Sequence, residues 1–157
     1  MRTIVATTVL LSVCLSSATY SEDDRCGAFK EFIPICSVLS DATKYDGKEI
    51  TVKGIYRTVL HGSVLMSPAC GQTYVNLRQV SAYKADKQAS AVMRSITKKD
   101  QFESVEVILR GTFRAAHQGQ CFGQNCLPYE FEDHELLCAA RPPADPKDAA
   151  NSKGTTH

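Results

Sequence analysis

The sequence predicts a mainly β domain: a five-stranded barrel with one amphipathic helix between the third and fourth strands and a short helix before the first. Three observations predict it. Apolar and polar residues alternate in several segments between residues 49 and 140, the two-residue period of a half-buried strand. The period changes once, between Ala82 and Thr97, to that of an amphipathic helix. Glycines stand in mid-strand at Gly54 and Gly111, where a small barrel must coil its strands sharply.

The elements follow in order. Phe29, Phe32, Ile33, Ile35, Val38 and Leu39 have roughly helical spacing, but Pro34 interrupts it, so a short helix is expected over Ile35 to Ala42. Tyr45-Asp46-Gly47-Lys48 reads as a turn centred on Asp-Gly. Glu49 to Val59 is the first barrel strand, with Ile50, Val52, Gly54 and Tyr56 on one face and Thr51, Lys53, Ile55 and Arg57 on the other. His61-Gly62 turns the chain into a return strand, Ser63 to Met66, which Ser67-Pro68 ends. Thr73 to Arg78 is the third strand, with Val75 and Leu77 inward and Tyr74, Asn76 and Arg78 outward. The helix has Ala85, Ala89, Val92, Met93 and Ile96 on its apolar stripe and Ser81 as its expected N-cap. Val105, Val107, Leu109, Gly111 and Phe113 then share one face of a fourth strand over Ser104 to Ala115. Gly119 to Tyr129 reads as a loop, and His134 to Ala140 as the last strand.

Three strands, a helix and two closing strands is the order of the OB-fold, a small Greek-key barrel. Ile50-Thr51-Val52-Lys53-Gly54-Ile55-Tyr56-Arg57 is echoed by Val107-Ile108-Leu109-Arg110-Gly111-Thr112-Phe113-Arg114. One repeated unit of this length is not a solenoid. It reads as two strands meeting the same bending requirement in one barrel.

The ends have a different character. A basic residue, the apolar run Ile4 to Leu15 and Ser16-Ser17-Ala18 form a secretory signal peptide over residues 1–18. The run is shorter than the ~20 residues that span a bilayer, so no transmembrane segment is expected in the mature chain. Leu11-Ser12-Val13-Cys14 resembles a lipoprotein box, but Val13 stands where a small residue belongs, so lipidation at Cys14 is not expected. Residues 142–157, with Pro142, Pro143 and Pro146 and no apolar period, read as a flexible tail. One domain over residues 26–141 remains.

The 157 residues include 7 cysteines and a formal charge of +1. Cleavage after Ala18 would leave 139 residues with 17 basic groups, 17 acidic groups and six cysteines. An even cysteine count in an exported chain reads as disulfides, and the expected location is secreted or periplasmic. Six cysteines allow 15 connectivities. Placement on the expected elements favours Cys36–Cys70 across the first hairpin, Cys121–Cys126 within one loop and Cys26–Cys138 between the ends.

Cys36-Ser37-Val38-Leu39, Lys44-Tyr45-Asp46-Gly47-Lys48-Glu49-Ile50-Thr51-Val52-Lys53-Gly54 and Leu65-Met66-Ser67-Pro68-Ala69-Cys70 carry a resemblance. This pattern resembles a group of exported bacterial OB-fold-like proteins of unknown function, similar to the tRNA-anticodon-binding-like OB class. Cys121-Phe122-Gly123 stands where that group has a glycine-rich segment before its last strand. The resemblance covers about half of the mature chain and implies fold and compartment; it brings no catalytic residues.

The motifs point to binding and not to catalysis. The chain has no Gly-x-Ser-x-Gly elbow, Ser-x-x-Lys or phosphate-cradling glycine loop. Its cysteines lack Cys-x-x-Cys spacing, and His61, His117, His134 and His157 lack metal-ligand spacing, so no metal and no cofactor are expected. The run Glu130, Glu132, Asp133 and Glu135 around His134 lacks the order of a calcium loop and reads as a solvated strand edge. Lys53, Arg57, Arg110 and Arg114 are expected to form an outward basic stripe, because the first and fourth OB strands are neighbours. Tyr74, Asn76 and Arg78 lie on the strand face where OB-folds take ligands. The expected ligand is an oligosaccharide, single-stranded nucleic acid or an envelope protein, and a balanced charge weighs against nucleic acid. A nuclease-like hydrolase is the alternative. Exported OB-core nucleases carry an Asp-Gly-Asp turn, whereas here Asp46-Gly47 is followed by Lys48. A purely structural envelope protein is the third reading.

Overall fold

A computed structural model describes residues 26–97 and 104–141. The expected signal peptide, Cys14 and the tail 142–157 lie outside the described residues. The chain runs through β1 (Ile33–Pro34), α1 (Ile35–Ser40), α2 (Ala42–Tyr45), β2 (Glu49–Val59), β3 (Gly62–Met66), a 3-10 turn (Pro68–Cys70), β4 (Val75–Ala85), α3 (Lys87–Thr97), β5 (Val105–Ala115) and β6 (Tyr129–Ala140).

Strands β2 to β6 close a five-stranded OB-fold-like barrel. Their order is β2–β3–β4–β6–β5, and β5 returns to β2. The β4–β6 pair is parallel, and the other barrel pairs are antiparallel. One row of register partners runs Arg57, Val64, Asn76, Glu130, Arg114 around the wall. Continuing the β2–β5 register past Glu49↔Thr112 brings Arg114 opposite Gly47, ten residues along β2 from where the row began. That stagger is what closing so few strands into a tilted barrel requires.

The repeated octapeptides explain how the wall bends. They pair with each other: Val52 faces Leu109, Ile50 faces Gly111, and Gly54 faces Val107. The two copies are thus related by a local two-fold axis, each glycine beside the first apolar residue of the other copy. A Cβ on Gly111 would lie 2.1 Å from the carbonyl oxygen of Glu132, and one on Gly54 would lie 2.8 Å from Leu65 Cδ1. At both places the wall closes only because no side chain is there.

The inward faces match the alternation in the sequence. Val52, Leu65, Val75, Val107, Phe113 and Phe131 have no exposed surface. Burying each such aliphatic or aromatic side chain stabilises the fold by ~1.5–3 kcal/mol. Helices α1 and α3 close the core with Ile35, Val38, Ala89, Val92 and Met93. A smaller cluster forms outside the barrel, where Ile108 lies under Cys26, Cys138, Ala140 and Phe32. It accounts for an apolar residue on the outward face of β5.

All three disulfides have the pairing expected from element placement: Cys26–Cys138, Cys36–Cys70 and Cys121–Cys126. Their loops differ greatly. In a chain-entropy view the bond spanning 112 residues stabilises by ~5 kcal/mol, and the bond spanning 5 by ~2 kcal/mol.

Several boundaries differ from expectation. The helix after the third strand begins at Lys87, and its cap is Asp86, not Ser81. Asp86 Oδ1 accepts from the backbone N–H groups of Gln88 (2.9 Å) and Ala89 (3.0 Å). Residues 80–85 continue β4 instead, because Lys84 and Ala85 pair with Glu135 and Leu136. Ala85, an exposed strand residue, had mimicked a helical position four before Ala89. The first helix stops at Ser40 and a separate turn of helix, α2, follows. The last strand starts at Tyr129, five residues earlier than expected, because it is paired on both sides.

Candidate functional site

The candidate ligand face is the outer surface of β3, β4, β6 and β5. Alternation along β4 puts Asn76, half-buried, and Arg78, exposed, on it; Tyr74, expected inside this strand, is half-buried one residue before β4 begins. Alternation along β6 puts Glu130 and Glu132 on the same face, and β5 contributes Arg114. These side chains form one network. Asn76 Nδ2 donates to Glu130 Oε2 at 2.9 Å, and Arg78 Nε donates to Glu130 Oε1 at 3.1 Å. Arg78 Nη2 also pairs with Glu132 Oε1, and Arg114 Nε donates to the same oxygen at 2.8 Å.

The burial is unequal within these pairs. The Glu130 and Glu132 side chains are 8% and 11% exposed, whereas Arg78 and Arg114 are 53% and 48% exposed. The carboxylates form a floor, and the guanidinium groups lie over it with further N–H donors toward solvent. Each buried carboxylate is hydrogen-bonded to a guanidinium group, which offsets part of the cost of its desolvation.

This arrangement corrects the reading of the acidic run as a solvated edge. Glu130, Glu132 and Asp133 are all buried. The reason is topological: the parallel β4–β6 pair closes the barrel, so β6 has a neighbour on each side. The expected basic stripe is corrected too. Arg57 and Arg114 lie at opposite ends of the β2–β5 seam, because that pair is antiparallel. Lys53 pairs with Glu106 at 2.9 Å and lies over the Phe32 ring, and Arg110 pairs with Glu135 at 3.0 Å. Arg57, half-buried beside Val64, has no ion-pair partner among the described residues.

A loop lies over part of the face. Residues 116–128 connect β5 to β6, and their centre is a short hairpin in which Phe122 and Leu127 exchange backbone hydrogen bonds of 2.8 and 2.9 Å. The Cys121–Cys126 bond closes it. A Cβ on Gly123 would lie 2.5 Å from Asn76 Oδ1, so this glycine backbone rests on the Asn76 amide. Val64, the β3 register partner of Asn76, keeps only 3% exposure although it points outward. At the other rim the β2–β3 hairpin presents Leu60, 90% exposed.

Asp133 stands apart. It opposes Gly111, so it faces the barrel interior, and its Oδ1 has no hydrogen-bond partner among the described residues. Burial pushes its carboxyl up from 3.8 to about 7, against the pull of a backbone hydrogen bond from Glu135. The ladders on both sides of it are irregular, with a shift between Arg110 and Gly111 on β5 and between Gln79 and Lys84 on β4.

Asp46 is occupied by the fold. Its Oδ1 accepts from the backbone N–H of Ala115 at 2.9 Å, while Gly47 N–H donates to the Phe113 carbonyl at 2.9 Å. The Tyr-Asp-Gly-Lys turn is therefore a clasp on the end of β5, and Gly47 takes the positive φ of 71° that the turn needs. His117 Nε2 lies 3.8 Å from Asp46 Oδ2, and His134 Nδ1 lies 3.5 Å from Glu49 Oε2. Among the described residues no three His, Cys, Asp or Glu side chains converge as a metal-ligating group. No helix of the described residues is long and apolar enough to cross a membrane.

The chain matches no protein-family model and no curated protein. The site therefore has to be read from its own geometry. That geometry offers a charge-balanced, donor-rich surface with a disulfide-closed rim. Glu130 and Glu132 are the residues that the sequence reading missed. Their signal was the two-residue period itself: Tyr129, Phe131 and Asp133 alternate with them, which extends β6 backward and turns both glutamates outward beneath the arginines.

Proposed function

We propose that the chain is an exported, disulfide-stapled OB-fold-like binding module that acts by binding and not by catalysis. We place it with the exported bacterial OB-fold-like proteins that its Tyr45-Asp46-Gly47-Lys48 and Pro68-Ala69-Cys70 motifs resemble. Its face is the outer surface of β3 and β4, with Tyr74, Asn76 and Arg78 as contacts and the loop 116–128 as one rim. Three disulfides support a secreted or periplasmic location, because such bonds persist in oxidising compartments.

The observation that carries the ligand class is the pairing of cations. Lys53, Arg78, Arg110 and Arg114 each have a carboxylate partner. A polyphosphate would meet arginines already neutralised by the carboxylates beneath them and would gain little net attraction there. A neutral oligosaccharide asks for hydrogen-bond donors and acceptors without net charge, which this face has. Tyr74, half-buried one residue before β4, is an aromatic residue of the kind that offers a sugar an apolar face.

Titration calorimetry of the mature chain tests this. Neutral oligosaccharides should bind with affinity that moderate salt leaves unchanged and that Tyr74→Ala and Arg78→Ala reduce. Binding confined to single-stranded oligonucleotides and abolished by salt would refute the ligand class. A second reading, a protein partner in the envelope, is favoured by Leu60 at 90% exposure on the hairpin tip. Leu60→Asp separates it, since it should disrupt a protein contact and leave sugar binding intact.

A further inference from the structure

We propose that Cys121–Cys126 is a thiol–disulfide exchange site, opened by an external dithiol in the native protein while the other two disulfides stay closed, and that its opening loosens the hairpin tip 123–126, whose Gly123 covers Asn76. The exchange site stands on the disulfides themselves; only its effect on the β4 face rests on the binding reading.

Access separates the three bonds. Cys121 and Cys126 are both exposed. Cys26 and Cys138 are 1% and 5% exposed, and Cys36 and Cys70 are half-buried between α1 and the turn after β3. Exchange needs an attacking thiolate to reach a disulfide sulfur, so access ranks Cys121–Cys126 first, Cys36–Cys70 second and Cys26–Cys138 last. Chain geometry agrees. Opening the Cys26–Cys138 bond disturbs the outer cluster with Ile108, and opening Cys36–Cys70 removes the covalent tie between α1 and the turn after β3. Opening Cys121–Cys126 frees only a hairpin of a few residues. Within that hairpin Cys126 is the one non-glycine residue at positive φ among the described residues, at 52°, a conformation unfavourable for a side chain with a Cβ.

The loop is built to reclose. Phe122 and Leu127 hold its base by two backbone hydrogen bonds, and Ala116 N–H donates to the Pro128 carbonyl at 2.8 Å. Neither clasp involves a cysteine side chain, so both sulfurs stay near each other after reduction. The effect on the face follows from Gly123, whose backbone covers Asn76, the register partner of the outward but buried Val64.

The chemistry balances. One thiolate of the external dithiol attacks either sulfur, a mixed disulfide forms, and the protein S–S bond breaks. The departing thiolate takes a proton. The second external thiolate then attacks the mixed disulfide, closing the external disulfide and releasing the other cysteine, which is protonated in turn. Two electrons pass from the external dithiol to the protein, and the reverse reaction restores the bond.

The test uses the oxidised mature protein without denaturant. It is exposed to graded dithiothreitol, quenched in acid, alkylated and mapped by peptide mass spectrometry. Cys121 and Cys126 should be alkylated at least about tenfold faster than the other four cysteines. Simultaneous reduction of all six, or earlier reduction of Cys36 and Cys70, would overturn the proposal. A Cys121→Ser/Cys126→Ser variant then reads the consequence by hydrogen exchange. The amides of residues 123–126 and those around Asn76 should exchange faster, with β2 and β5 unchanged. Global loss of protection, or no change at Asn76, would refute the local lock. Neither readout needs a ligand, so a failure to bind oligosaccharide leaves both outcomes interpretable.

Discussion

Replacing Asp133 by asparagine tests the electrostatics of the barrel interior. The aspartate is 8% exposed, faces inward opposite Gly111, and has an unpartnered Oδ1 among the described residues. Its carboxyl is raised from 3.8 to about 7 by burial. The folded state therefore holds this proton more tightly than the unfolded chain does. Between the two values the native protein binds more protons, so stability falls as pH rises from about 4 to about 7 and is flat beyond. Each pH unit is worth ~1.4 kcal/mol, which sets an upper bound of ~4 kcal/mol. Asparagine keeps an oxygen for the Glu135 N–H but brings an amide of its own that needs a partner, at a cost of ~1–2 kcal/mol. Asp133→Asn should thus be ~1–3 kcal/mol more stable than the wild type near pH 8, and equal or slightly less stable near pH 4.5. Denaturant unfolding with disulfides intact, run on both proteins at both pH values, isolates the effect. The difference between the two proteins cancels every other titrating group. A pH-independent difference, or a variant that loses stability near pH 8 relative to pH 4.5, would refute the buried, unpaired carboxyl.

Other substitutions test the wall, the floor of the face and the helix start. Gly111→Ala drives a Cβ against the Glu132 backbone carbonyl, which cannot rotate away, and should destabilise by more than ~3 kcal/mol in denaturant unfolding. Gly54→Ala meets the movable end of Leu65 first and should cost less, ~1–2 kcal/mol by the same measurement. Arg78→Ala with Arg114→Ala strips Glu132 of both cations and Glu130 of its one, and should destabilise by ~2–3 kcal/mol, most of it recovered by adding Glu130→Gln and Glu132→Gln together. Asp86→Ala removes the acceptor for two backbone N–H groups at the start of α3 and should lower stability by ~1 kcal/mol.

Much of the barrel was legible because its signals are local. Val105, Val107, Leu109, Gly111 and Phe113 alternate without interruption, and all are buried. Element order favoured one disulfide pairing of the 15 possible, and the structure has that pairing. Local reading failed where two interpretations shared one pattern. Ala85 and Ala89 fit a helix as well as a strand end, and only pairing with Leu136 decides that Ala85 belongs to β4. The candidate site was legible by residue type but not by state. Asn76, Arg78 and Arg114 lie on the outward face as expected, yet the acids that neutralise Arg78 lie 52 and 54 residues away in sequence.

The amino-acid sequence by itself determined the strand faces and the glycine bends, and it favoured one cysteine pairing among 15 without fixing it. These depend on periodicity, on steric room at one position, and on element order, which the chain carries locally. Only the tertiary structure decided the electrostatics. Whether Glu130 and Glu132 are solvated or buried depends on the parallel β4–β6 pairing that gives β6 two neighbours. Whether the arginines are free to bind an anion depends in turn on those two carboxylates beneath them. The dielectric surroundings and partners of a charge are set by contacts distant in sequence, so a neutral composition could not distinguish dispersed surface charges from a paired and partly buried network.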